Sequence, residues 1–443
     1  MTSELKKNKK KALCISLGCF KNRVDSERIA YTISESGYEI TDSVTDYTEL
    51  CVVNTCGFLE EAVRENIDMI LDLTELKESG RVGKIVVFGC LYNRYGDDLS
   101  GEIPEVDSWI KCEDYEGLAS LISADVLRKE TSEPPGRYNL TPDNRHTRYL
   151  KIAEGCDNRC SYCAIPNIRG DLASLPLDFL LREAEMLISE GTRELCLVCQ
   201  DLTAYGRDIG LSLQGLLAEL DKSLPRDTWV RLLYLQPAGI DNGLLEFIAG
   251  SRHILPYLDI PIQHASERIL ALMNRPIASG DLLNIFTTAR NIRPDFALRT
   301  TCMTGFPSES REDFKALLRF VETVQFDRLG TFVYSPEEGT AAALMGDQIA
   351  RRTQNARRER LMQLQDAISL QRQSLFMGKT MTVLVDGFTG NGTAECRSYR
   401  EAPEVDGIIE VKIASNHIRA GDFMQVKITE TYEHDMLADE VTG

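Results

Sequence analysis

Cys156, Cys160 and Cys163 lie in the run Glu154-Gly155-Cys156-Asp157-Asn158-Arg159-Cys160-Ser161-Tyr162-Cys163. This CxxxCxxC spacing offers three thiolates from one short loop to a metal centre. Structural zinc takes four ligands, usually as two paired groups. No cysteine or histidine follows Cys163 closely enough to complete such a shell. Buried apolar cysteines have little reason to crowd beside Asp157, Asn158 and Arg159. Soft thiolates suit an iron–sulfur cluster instead. A [4Fe–4S] cluster held by three cysteines leaves one iron open, and a small molecule bound there can receive an electron.

The chain of 443 residues is too long for one ordinary core and suggests about three domains. At 43% apolar and 27% charged residues it reads as soluble and globular. No apolar run reaches the ~18–20 residues of a membrane span, and the lysine-rich start lacks the apolar stretch of a secretory signal. A cytoplasmic protein without a membrane partner is expected. The 13 cysteines are then free, ligating or buried rather than paired. A net charge of −18 argues against a broad nucleic-acid grip and favours a basic partner or a small substrate.

Three segments near the N-terminus repeat one theme: Ile15-Ser16-Leu17-Gly18-Cys19, Val52-Val53-Asn54-Thr55-Cys56 and Val86-Val87-Phe88-Gly89-Cys90. Each is an apolar run ending in a cysteine. Helical periodicity follows the first two, over Val24–Ser34 and Phe58–Leu73. Strands alternating with helices predict a parallel sheet, whose carboxyl edge is where ligands bind. Cys19, Cys56 and Cys90 would converge there as a second thiol triad. Cys14, Cys51, Cys112, Cys302 and Cys396 read as small core residues. Cys196 and Cys199 lie three apart in a strand, on opposite faces, and are not expected to ligate together.

Beyond a linker near Ser132-Glu133-Pro134-Pro135-Gly136, strands are predicted at Arg148–Ala153, Glu194–Cys199, Val230–Leu235, Tyr257–Ile260, Ala297–Met303 and Arg328–Val333. Six β/α units suggest a partial (β/α)6 barrel with its site at the carboxyl strand ends. Gln200-Asp201, Gln236 and Gln263-His264 follow the second, third and fourth strands; Arg299 lies within the fifth, and Gly305-Phe306-Pro307 follows it. Taken alone, His264 reads as an ordinary core histidine, and Glu337 and Glu338 as loop residues. Arg351 to Arg372 reads as a connecting helix, with Leu361, Leu364, Ile368 and Leu370 on its apolar side; contact with RNA or a partner is the sharper alternative. From Leu375, short runs at Thr382–Val385, Gly407–Ile413 and Phe423–Ile428 predict a small antiparallel barrel. That barrel carries six cations (Lys379, Arg397, Arg400, Lys412, Arg419, Lys427) against twelve anions. The expected fold is α/β with three parts: an N-terminal parallel α/β domain (12–125) behind a basic tail (1–11), a linker (126–141) to the barrel (142–374), and the small β-barrel (375–443).

The Cys156 run resembles the radical S-adenosylmethionine (SAM) signature, with Tyr162 at its usual aromatic position. Leu17-Gly18-Cys19-Phe20-Lys21-Asn22 with Asp25-Ser26-Glu27, Asn54-Thr55-Cys56-Gly57-Phe58 and Gly89-Cys90-Leu91 resemble the radical SAM methylthiotransferases, and the resemblance covers nearly the whole chain. It implies two [4Fe–4S] clusters, one on Cys156, Cys160 and Cys163 and one on Cys19, Cys56 and Cys90. It implies SAM held among Tyr162, Gln200, Gln263, Arg299 and Gly305, a C-terminal TRAM domain, a flavodoxin-type electron donor and no side-chain general base. Cys199 and Ser308 depart from the glycines usual in the family. One branch of the family methylthiolates the β-carbon of an aspartate in small-subunit ribosomal protein twelve; the other, MiaB-like, modifies isopentenyladenosine in tRNA. The acidic small barrel repels phosphate and attracts a basic protein, favouring the first branch. Cys163-Ala164-Ile165-Pro166-Asn167-Ile168-Arg169-Gly170 also reads as that branch. A monomer touching nucleic acid only on the ribosome is expected. Electron transfer without catalysis would need four-cysteine sites.

Overall fold

The structure, a computed structural model, describes residues 10–112, 114–122, 134–275, 277–390, 392–414 and 417–441. The chain divides into two compact units. One runs to Leu140 and also takes in Ala164–Asp171; the other holds Thr141–Cys163 and everything from Leu172 onward.

In the first unit, strands β1 (Lys10–Ser16), β2 (Tyr38–Thr41), β3 (Thr48–Thr55), β4 (Val82–Gly89) and β5 (Ser108–Ile110) form a sheet of order β2-β1-β3-β4-β5, parallel throughout. Helices α1 (Phe20–Glu35), α2 (Glu60–Glu78), α3 (Cys90–Glu102) and α4 (Tyr115–Leu121) connect or follow the strands. The central strands read as continuous apolar runs because both faces are covered. Val52, Val86 and Phe88 pack with Ile29 and Ile33, while Cys51, Val53, Ile85 and Val87 pack with Ile70, Leu73 and Leu91. The basic tail is shorter than expected, since Lys10 and Lys11 open β1 and pair with Tyr38 and Glu39. Positions 1–9 of that tail, and Ser132 and Glu133 of the expected linker, lie outside the described residues. Helix α5 (Ile165–Arg169) completes this unit, with Ala164 and Ile168 packed on Cys90.

The second unit holds the six expected strands as β6 (Thr147–Lys151), β9 (Glu194–Val198), β10 (Trp229–Leu232), β11 (Tyr257–Asp259), β12 (Ala297–Thr304) and β13 (Arg328–Val333). They form two parallel three-stranded sheets, β10-β9-β6 and β11-β12-β13. A bond from the Leu235 amide to the Asp259 carbonyl (2.8 Å) links the two sheets into one partial barrel. A two-residue antiparallel ladder, β7 (Ala153–Glu154) with β8 (Ala173–Ser174), brackets the cysteine loop. Helices α6 (Leu177–Ser189), α7 (Leu213–Ser223), α8 (Asn242–Gly250), α9 (Glu267–Leu272), α10 (Ser279–Ile292), α11 (Arg311–Val324) and α12 (Arg351–Ser374) follow. The start of α11 is fixed by a capping box between Ser310 and Asp313. In α12 Leu361 and Ile368 are buried as expected, but Leu370 is exposed and Arg357 is buried, bonded to the Glu309 carbonyl.

Strands β14 (Thr380–Thr389), β15 (Thr393–Arg397), β16 (Ile409–Lys412), β17 (Phe423–Thr431) and β18 (Met436–Glu440) close a small barrel of order β14-β15-β16-β18-β17. The β16–β18 pair is parallel and the rest are antiparallel. Val383, Val385, Cys396, Val411 and Val426 fill it. This barrel is not a separate compact unit: its segment 397–406 seals the amino ends of the larger barrel's strands. Glu194, at the start of β9, accepts from Arg231 (2.7 Å) and Arg397 (2.5 Å). Arg328 donates to Glu401 (3.1 Å). Arg299, the third residue of β12, pairs with Asp259 (2.8 Å) and with Asp406 (3.3 Å).

Candidate metal centres and their surroundings

The first thiol triad stands at the carboxyl edge of the parallel sheet. Cys19 precedes α1, Cys56 follows β3 and Cys90 follows β4. Glycine lets the three loops approach. A Cβ on Gly18, whose φ is +92°, would lie 2.7 Å from Cys56 Cβ, and a Cβ on Gly57 would lie 2.5 Å from the Cys90 carbonyl oxygen. Asn22 ties two of the loops by donating to the carbonyls of Leu17 (2.9 Å) and Thr55 (3.0 Å). Asn66 of α2 accepts from the Cys56 amide at 2.9 Å. Burial pushes the Cys90 thiol up to about 11 against the pull of Arg169, with Cys56 and Cys19 raising it further. Burial also raises Cys56, which feels Cys19. The three groups therefore lie within mutual electrostatic reach. A metal displaces protons that such buried thiols hold tightly.

The second triad is carried by the loop after β7. Its backbone is pinned by Ser161, whose amide bonds the Met273 carbonyl (3.0 Å) and whose hydroxyl bonds that of Leu272 (2.7 Å). Asn274 donates to the Arg159 carbonyl (2.8 Å), holding Arg159 at φ +50°. All three thiols are half-buried. Asn158 donates to Cys156 Sγ (3.4 Å) and to Asp201 (2.7 Å). Burial, with Asp201 adding to it, raises the Cys156 thiol. Arg275, itself buried, approaches Cys160 Sγ (3.9 Å) and the Tyr162 hydroxyl (3.5 Å) while donating to the Pro261 carbonyl (2.7 Å). A cavity of about 310 Å³ opens beside Cys160, lined by Asn158, Asp201, Gln236 and Arg275 among others. Its size lies in the range of small-molecule sites.

Among the described residues, no three His, Cys, Asp or Glu side chains converge as ligands of a single ion would. A cubane spreads its thiolates over different irons and does not require that convergence. The donor set of both triads, all thiol and gathered by dedicated loops, fits such a cluster.

The expected SAM contacts fall in different places. Gln200, two residues beyond β9, donates to Glu154 (2.7 Å) and leaves its buried Oε1 without a donor. Gln263, held at φ +66° beyond β11, also has a buried Oε1 without a donor. Such orphaned oxygens are costly unless a ligand supplies hydrogen. Tyr162 packs on Met273, Met303 and Phe306. Gly305 has no free backbone group: its amide is taken by Glu309 and its carbonyl accepts from Gln354 (3.1 Å). Its φ of +74° and the closeness of Gln354 explain the glycine. Arg299 stands at the amino half of its strand, in the junction with the small barrel, and not at the carboxyl end where SAM was expected. His264 is buried, and burial lowers it to about 4, so it is neutral. Arg169, Arg275 and Asn158 are additions that spacing did not reveal. Arg169 and Asn158 lie within stretches singled out in the sequence, and Arg275 does not.

The fold and the paired thiol triads define a radical SAM enzyme of the methylthiotransferase class. Residues 150–321 match the radical SAM superfamily, residues 377–441 the TRAM domain and residues 11–111 the uncharacterized protein family UPF0004. The fold resembles that of the radical SAM methyltransferase TsrM from Kitasatospora setae (TM-score 0.55, 14% identity, 72% of each chain). The chain is 40% identical to a Geobacter sulfurreducens protein named ribosomal protein uS12 methylthiotransferase RimO, over 98% of this chain and 99% of that one. It is 38% identical to a Bdellovibrio bacteriovorus protein of the same name, over 100% and 99%. The chain belongs to the RimO family. Two [4Fe–4S] clusters and SAM are the cofactors of this class.

Proposed function

We propose that this protein inserts a methylthio group at the β-carbon of an aspartate in ribosomal protein uS12. The observation that carries the proposal is similarity over essentially the whole chain to proteins named for that reaction. The surface of the small barrel supports it. Arg397 and Arg400 are consumed in the buried junction. Lys379, Lys412, Arg419 and Lys427 remain as exposed cations among exposed Glu404, Glu410, Glu430, Glu433, Asp435 and Asp439. That face suits a basic ribosomal protein better than bare tRNA.

Cys156, Cys160 and Cys163 hold the cluster that engages SAM, and Cys19, Cys56 and Cys90 hold the second. When bound, the first supplies the electron that cleaves SAM and the second the sulfur that is transferred. Gln200 and Gln263 offer their orphaned oxygens to donors on SAM, and Asn158, Asp201, Gln236 and Arg275 shape the adjoining cavity. Asn158 and Arg275 also orient the thiols of Cys156 and Cys160. No side chain is assigned as a general base. A flavodoxin-type reductant, a cytoplasmic location and a monomeric state complete the proposal, with the barrel and small barrel bounded as read from the sequence and the α/β domain opening at Lys10, where β1 begins.

The test is direct. Anaerobically reconstituted enzyme, SAM and reductant are incubated with uS12 or its loop peptide, and separately with tRNA, and the products are read by mass spectrometry. Replacement of one hydrogen by SCH3 on the aspartate is expected. Modification of tRNA alone would overturn the assignment.

A further inference from the structure

Arg169 belongs to the segment that leaves Cys163, yet this segment is part of the first unit. Its guanidinium is buried and fully engaged. Nε donates to Cys90 Sγ (2.9 Å), Nη2 to Asn22 Oδ1 (2.8 Å) and Nη1 to Asp25 Oδ2 (3.3 Å). Asp25 is held in turn by the Tyr115 hydroxyl (2.9 Å). Asn22 also bonds the carbonyls beside Cys19 and Cys56, as described above. One side chain thus joins all three ligand-bearing loops: Cys90 directly, and the other two through Asn22.

Resting on the reading that Cys19, Cys56 and Cys90 hold the second cluster, we propose that Arg169 is its positioning and tuning residue. It aims Cys90 at the cluster and places a fixed positive charge on a ligand sulfur. Hydrogen bonds and charge at ligand sulfurs favour the reduced cluster and raise its potential. The planar fork presents Nε, Nη1 and Nη2 to three separated acceptors, whereas a lysine's three donors radiate from a single nitrogen and do not span those positions. Because the same segment starts immediately after Cys163, the residue that organises the second cluster is covalently continuous with the ligand loop of the first.

The experiment uses the full chain with Cys156, Cys160 and Cys163 changed to Ala, so that only the second cluster remains. Iron content, the midpoint potential and pulsed EPR of the reduced cluster are measured in protein grown with 15N-guanidinium arginine. The proposal expects a 15N coupling that disappears in R169K. In R169Q it expects either loss of the cluster from folded protein or a potential lowered so that the reduced-to-oxidised ratio at fixed poise falls about tenfold, equal to 59 mV for one electron. A loaded cluster without 15N coupling, or one whose potential R169Q leaves unchanged, overturns the proposal. If R169Q does not fold, the labelled parent and R169K decide. Failure of the parent protein to bind iron would refute the second-cluster assignment itself, which is a distinct result.

Discussion

Changing Asp327 to Asn probes the buried junction on which the barrel is built. Asp327, just before β13, accepts from Arg400 of the small barrel (3.0 Å), Arg372 of α12 (3.0 Å), Arg290 of α10 (3.1 Å) and the Leu298 amide of β12 (2.9 Å). Burial alone would raise this carboxyl, but Arg400, Arg372, Arg290 and the Leu298 amide outweigh it and bring it from 3.8 down to about 2. That difference corresponds to about 2 kcal/mol of stability at neutral pH. Neutralising the group also leaves three guanidiniums around an amide, and breaking a buried ion pair in this way costs ~3–5 kcal/mol. D327N, which keeps the size of the side chain, is therefore expected to lose about 3 kcal/mol. A depressed carboxyl contributes fully above its unfolded value, so the stabilisation is present above about pH 4 and is lost as pH falls through about 2. The assay is anaerobic urea unfolding of cluster-loaded protein at pH 7, followed by far-UV circular dichroism. The midpoint should fall with little change in slope. A loss below ~0.5 kcal/mol, the size of an ordinary surface change, would refute the reasoning.

Two further outcomes test the metal centres. Gly18→Ala places a methyl group 2.7 Å from Cys56 Cβ on a backbone at φ +92°, so anaerobic iron and sulfide analysis should show one cluster per chain instead of two. Full loading would show that the loops need no such closeness. Arg275→Met removes the guanidinium beside Cys160 and Tyr162 and should lower 5′-deoxyadenosine formation from SAM at least tenfold by chromatography, about 1.4 kcal/mol of barrier; a rate within twofold of the parent would remove Arg275 from the site.

The strands that carry the chemistry were legible because each is a short apolar run with a helix behind it. The placement of Cys19, Cys56 and Cys90 along one edge followed from one rule, that all carboxyl ends of a parallel sheet lie together. Short edge strands such as β2 and β5, and the polar-patterned β15 and β18, gave weaker signals. Arg299 is a polar residue inside a strand, and as the third residue of β12 it stands near the amino end rather than with the carboxyl ends. No local pattern announces that its acidic partner Asp406 comes from 107 positions onward. Arg275 was missed for the same reason: its link to Cys160 spans 115 positions. Ser308 is more instructive. It stands at φ +66°, a left-handed conformation that a glycine adopts freely, although it carries a side chain.

The most direct measurement compares the parent with a variant in which Cys19, Cys56 and Cys90 are all Ala, following 5′-deoxyadenosine and methylthiolated product in the same anaerobic reaction. The account predicts that deoxyadenosine still forms while the methylthiolated product vanishes. Undiminished methylthiolation by that variant would contradict the division of labour between the two thiol triads.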